Sequence, residues 1–242
     1  MAHGAPDASN VINLGQDYRV DDMAELAARL GSLAHYRRDG DVFFMEDFSE
    51  GLRRWHVDSR GADSEVVLQT NAWRVGGVCP RLTVDNNLND YAMIWRGFLP
   101  TGDLTLGVSA ALAIYTPVDS ICMEIEYYNG VDSRVAMIRY IPADHIFQVG
   151  TDVDVWETFA SDVTISGPDY PFSSVKLVAD FLREKILSFS LNDVTYDLSS
   201  YAPYVGGFPY IRSYVVWFWI TRLPAGTRSI YLDNIVLTRN EV

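Results

Sequence analysis

From Asp41 almost to the C-terminus, apolar residues return at every second position in short runs, and Gly, Pro, Asn and Asp break the runs apart. Successive side chains of an extended chain point to opposite sides, so this period is that of half-buried β-strands. The runs are Val42–Phe48, Leu52–Val57, Val66–Thr70, Arg81–Val84, Tyr91–Phe98, Leu104–Tyr115, Ile121–Tyr128, Arg134–Ile141, Val163–Ser166, Val175–Phe181, Ile186–Leu191, Tyr214–Thr221 and Ser229–Thr238. Asn129-Gly130 lies between two of them and reads as a hairpin turn. Many short strands with a single helical segment leave a sandwich or a barrel as the architecture.

Residues 1–40 follow a different rule. Asp21 can cap a helix whose apolar side is Met23, Leu26, Ala27, Leu30 and Leu33, at spacings of three and four. A helix of about four turns is not stable alone. It is expected to cover an open end of the β domain or to clamp a second copy of the chain. The reading divides the chain into an N-terminal arm, residues 1–40, and one β domain, residues 41–242.

Apolar residues make up 48% of the 242, enough for a sizeable core, which excludes a disordered chain. The formal charge is −13, and only Lys176 and Lys185 are lysines. Such a surface repels phosphate backbones, so nucleic acid is excluded as a partner, whereas neutral glycans, cations and basic proteins remain compatible. No run approaches the roughly 18 apolar residues that cross a bilayer. The N-terminal segment lacks the basic start and apolar core of a secretory leader. A cytoplasmic or particle-associated chain is therefore expected. Cys79 and Cys122 read as two separate reduced thiols rather than a disulfide scaffold.

Four stretches carry a family likeness: FFMEDFSEGLRRW from Phe43, MEIEYYNGVDSRVAMIRY from Met123, VKLVADFLREKILSFSLNDVTYDLS from Val175 and SIYLDNIVLT from Ser229. Together they resemble the concanavalin A-like lectin and glucanase superfamily of carbohydrate-binding jelly rolls, over about residues 42–240. The resemblance implies an all-β, two-sheet antiparallel jelly-roll sandwich in which the first and last strands lie side by side. It also implies a structural calcium between those strands, at the positions of Glu46, Asp47 and Asp233. Calcium takes six to eight oxygens, a number that carboxylates, carbonyls and water together can supply. The alternative is that Asp233 and Asn234 hydrogen-bond the adjoining loop. The Asp85–Asp90 cluster lacks the spacing of a calcium loop and reads as a turn.

Hydrolases of this superfamily carry Glu-x-Asp-x-x-Glu on one strand. The matching segment here is Glu124-Ile125-Glu126-Tyr127-Tyr128-Asn129. Glu124, Glu126 and Tyr128 share a face, but an asparagine stands where the acid is needed, and an amide cannot deliver the proton. His3, His35, His56 and His145 show no metal-ligand spacing. Enzymatic activity is not expected. The favoured reading is a non-catalytic lectin-like module for a glycan, with Trp73 and Trp95 stacking on sugar rings and Glu124, Glu126 and Tyr128 as polar contacts. Trp217 and Trp219 share one face of a strand that is apolar on both sides, which predicts burial on both. Trp55 is expected in the core. The alternative role is a structural building block, such as a virion component, that oligomerises through residues 1–40.

Overall fold

The computed structural model describes residues 40–70, 77–85, 87, 89–99, 102, 104–165, 167, 172–207, 211–221 and 228–241. The helix expected within residues 1–40 lies outside them, apart from Gly40.

Among the described residues sixteen strands form two antiparallel sheets. In chain order they are β1 (Asp41–Glu46), β2 (His56–Arg60), β3 (Glu65–Gln69), β4 (Cys79–Val84), β5 (Tyr91–Phe98), β6 (Thr105–Ile114), β7 (Ser120–Tyr128), β8 (Ser133–Ile141), β9 (Ile146–Asp152), β10 (Val155–Ala160), β11 (Ser173–Asp180), β12 (Lys185–Leu191), β13 (Val194–Asp197), β14 (Tyr204–Gly206), β15 (Ser213–Thr221) and β16 (Arg228–Arg239). Sheet A runs β13-β12-β11-β6-β16-β4-β3, with β1 also paired to β16. Sheet B runs β10-β9-β8-β7-β15-β5-β2, with β14 paired to β8. This is the expected jelly-roll sandwich.

The two ends of the β domain meet as the resemblance implied. β1 pairs antiparallel with β16, Phe44 opposite Leu237 and Glu46 opposite Ile235. β16 faces the core with Ile230 and Leu232, then with Ile235 and Leu237. The step of three in a period-two strand comes from a register shift between Asp233 and Val236, where Asn234 takes a left-handed φ of 48°.

Alternation places the rest of the core. β15 sends Tyr214, Val216, Phe218 and Ile220 inward, β7 sends Ile121, Met123, Ile125 and Tyr127, and β6 sends Leu106, Val108, Ala110 and Leu112 from the opposite sheet. The side chains between them therefore face outward. Trp55 is 6% exposed and packs between Phe44, Phe48 and Phe218, the core position expected for it.

Three strand expectations change. Residues 52–55 form a turn closed by Trp55 N–H donating to Leu52 O, and the strand starts at His56. Phe48 and Gly51, both at positive φ, swing the chain so that Trp55 tucks inward. Val163 and Ile165 are buried but not in a strand, with Val163 held by His145 O and by the Tyr140 hydroxyl. β9, β10, β13 and β14 were not expected; β13 and β14 are four and three residues long, too short to show a period of two.

Candidate functional site

The outward side of sheet B carries a cavity of about 710 Å³. Its wall comes from three adjacent strands and their ends: Tyr91 and Met93 of β5, Trp217, Trp219 and Thr221 of β15, and Glu124 and Glu126 of β7, with Asn89, Asp90 and Asp119 at the rim. Register brings these together. Trp217 lies opposite Trp95 on one side and Glu124 on the other, while Trp219 lies opposite Met93 and Cys122. The rim is a built turn: Asp90 Oδ2 accepts the Asn87 N–H at 2.9 Å, Asn87 O accepts the Asp90 N–H, and Asn89 sits at φ 72°. The Asp85–Asp90 cluster is thus the turn it was read as.

Trp217 and Trp219 are half-buried rather than buried, because they occupy the outward positions of β15 while Phe218 and Ile220 fill the core. Neighbouring strands are about 4.8 Å apart. Rings standing side by side on them meet face to face. His56, Trp95 and Trp217 do this, with centroids 4.0 and 5.0 Å apart and interplanar angles of 16° and 29°. Both faces of Trp95 are therefore occupied. Trp217 keeps its second face toward β7, on the Glu124 side. Trp95 buttresses that ring instead of offering a face of its own.

Glu124 is 8% exposed, and its carboxyl forms no hydrogen bond among the described residues. Burial, and next the neighbouring charge of Glu126, hold its carboxyl well above the ordinary 4.5. The charges of both carboxylates act on Tyr204 of β14. Burial first, then Glu124 and Glu126, raise its phenol far above the usual range. The indole Nε1 of Trp217 is also buried without an acceptor among the described residues.

The raised Glu124 has a consequence for stability. An unfolded chain releases this proton near 4.5 and the folded chain releases it at higher pH, so the group favours folding in acid and does so less as pH climbs through that window. Glu124→Gln should therefore gain stability over the wild type at neutral pH and lose that gain below pH 4.5. Urea unfolding at both pH values checks this. An equal difference at both would contradict it.

Of the glycan contacts expected from sequence, Glu124 and Glu126 line the cavity and Trp95 stands beside it. Tyr128 is on the same outward side, opposite Ser213, but does not line the cavity. Trp73 lies outside the described residues. Tyr91, Met93, Trp217 and Trp219 line the cavity without being among the contacts expected from sequence. Asn129, at the acid position of the hydrolase pattern, is committed to the β7–β8 turn: its Oδ1 accepts the N–H groups of Val131 and Asp132 and its amide donates to Asp132.

The three carboxylates of the calcium reading are each held locally. Glu46 Oε1 accepts the Phe48 N–H, Asp47 Oδ1 accepts from the N–H and hydroxyl of Ser49, and Asp233 Oδ1 accepts the Asn234 N–H. Among the described residues no group of three or more His, Cys, Asp or Glu side chains is placed to hold a metal ion. Cys79 and Cys122 are buried thiols on different sheets. Burial, with Asp233 next in effect on Cys79, pushes each up to about 12, so neither is a nucleophile at neutral pH.

No protein-family model matches the chain, and no curated protein matches it. Solved structures do. The chain is similar to the cellulose-induced protein Cip1, at 16% identity over 81% of this chain and 97% of that one, with a TM-score of 0.56. It is similar to the endo-β-1,4-glucuronan lyase of the fungus Trichoderma reesei, at 12% identity over 82% and 95%, with a TM-score of 0.57. It is also similar to the potassium-bound carbohydrate recognition domain of Emp46p, at 12% identity over 81% and 93%, with a TM-score of 0.51. At such identities the likeness is one of fold, the two-sheet jelly-roll sandwich.

Proposed function

We propose that the protein is a non-catalytic, lectin-like module that binds a glycan in the cavity on the outward side of sheet B. One observation carries the reading: a 710 Å³ concavity in which two tryptophan rings border a buried carboxyl that the described residues leave without a hydrogen bond. Aromatic walls with a few convergent polar groups are what a ligand pocket needs. Trp217 and Trp219 supply ring surface, Glu124 and Glu126 meet hydroxyls, Trp95 and His56 hold Trp217 upright, and Tyr128 flanks the site. Similarity in fold to a carbohydrate recognition domain supports the same reading.

The reading does not call on calcium: among the described residues Glu46, Asp47 and Asp233 form no group of three placed to hold a metal ion. The assembly role rests on residues 1–40 and draws no support from the described residues. The lyase of like fold raises catalysis as an alternative, but the carboxylate pair here lacks the acid partner of the hydrolase pattern. A screen on immobilised glycans tests the proposal. At least one glycan should retain the protein and, in soluble form, raise its melting temperature, as any ligand of the native state does. A broad panel that neither retains nor stabilises it would count against the reading.

A further inference from the structure

Taking the glycan reading as its basis, we infer that the cavity selects cationic sugars, oligosaccharides of an unacetylated 2-amino-hexose. Asp90, Asp119, Glu124 and Glu126 line it, and among the described residues no basic side chain does. Asp90 spends one oxygen on the Asn87 amide. Glu124 is more than nine-tenths buried, and its carboxyl has no hydrogen-bond donor among the described residues. A buried carboxylate without a donor is costly, and a ligand ammonium supplies both the opposite charge and the missing donors. Glu126, two residues along the same strand face, offers a second anionic contact.

The rings point the same way. An ammonium beside a tryptophan face gains from the ring's negative π surface. The Trp217 face away from Trp95 turns toward β7, where Glu124 lies opposite, and Trp219 lies two residues along β15. Arg139 also faces outward from sheet B, but its guanidinium lies 4.0 Å over the Trp156 ring and its Nε donates to Gln148. Its charge also acts on Asp119 at the rim, which leaves Glu124 and Glu126 as the carboxylates for a ligand cation. A uronic acid would bring a fifth carboxylate against four. A neutral hexose would bring Glu124 no opposite charge. A lysine-rich peptide shares the charge but not the flat ring that a wall of upright indoles accommodates.

Calorimetric titration of the whole protein tests this with three β-1,4-linked hexamers that differ only at C2. Glucosamine carries an ammonium there, N-acetylglucosamine an acetamide and glucose a hydroxyl. A lysine pentapeptide is the fourth probe. The glucosamine hexamer should bind at least roughly tenfold tighter than the others, which corresponds to one charge-assisted hydrogen bond, and should weaken with added salt. Glu126→Gln, at a half-buried position that leaves the fold intact, should lower that affinity by a similar factor, and Glu124→Gln should do the same. Tighter binding of either other hexamer overturns the charge selection and leaves the glycan reading standing. Tighter binding of the peptide overturns it in favour of a basic protein partner. Failure of all four probes also overturns it, while the glycan reading falls only if the wider glycan screen is blank too.

Discussion

Replacing Trp217 by alanine is expected to weaken glycan binding roughly 30-fold or more while the sandwich stays folded. A tryptophan at the centre of a binding surface is worth about 2 kcal/mol or more when truncated, which is that factor in affinity. The loss exceeds one ring contact, because Trp217 is the exposed end of the His56–Trp95–Trp217 stack and its second face turns toward Glu124. The fold survives because the side chain is half-exposed, whereas Phe218, its neighbour on β15, is 4% exposed and fills the core. Trp156→Ala is the control. It removes an outward tryptophan of the same sheet that does not line the cavity, and affinity should hold. Titration of both variants with a glycan from the screen checks this. Unchanged affinity in Trp217→Ala would contradict the site.

Phe189→Ala is expected to be the most damaging single truncation, at about 3–5 kcal/mol of folding stability. Phe189 is 1% exposed on β12 of sheet A, and its ring lies 4.7 Å from Phe147 on β9 and 5.8 Å from Phe159 on β10, both of sheet B. It therefore joins the two sheets along the side where β12, β9 and β10 lie. Its loss removes apolar burial and leaves a cavity between layers that cannot close without moving a sheet. For a chain of this size each kcal/mol shifts the melting temperature by about 2–4 °C, so a fall on the order of 10 °C is expected. Scanning calorimetry measures it, and a fall of only about 1 °C would show that the layers are not held there.

Much of the fold was legible because period-two patterning reports which side of a strand is buried. Tyr214, Val216, Phe218 and Ile220 alternate with Trp217 and Trp219 in the sequence as they do in the sheet. What patterning cannot report is which strands become neighbours. The cavity exists because β15 lies between β5 and β7, segments separated from it by about ninety residues or more, and no local rule encodes that. Glu124 and Glu126 were visible as a same-face pair. The stack that occupies Trp95 and uncovers Trp217 was not, since it depends on cross-strand register. Trp217 and Trp219 misled for a related reason: residues apolar on both sides of a strand signal a covered face or a binding face equally well, and alternation alone does not separate the two.

The most direct measurement is nuclear magnetic resonance of the tryptophan indole N–H signals during titration with a glycan from the screen. The Trp217 and Trp219 signals should shift in step with binding, while Trp55, packed among Phe44, Phe48 and Phe218 inside the sandwich, stays in place. Saturable binding with the Trp217 and Trp219 signals unmoved would put the ligand elsewhere and contradict the account.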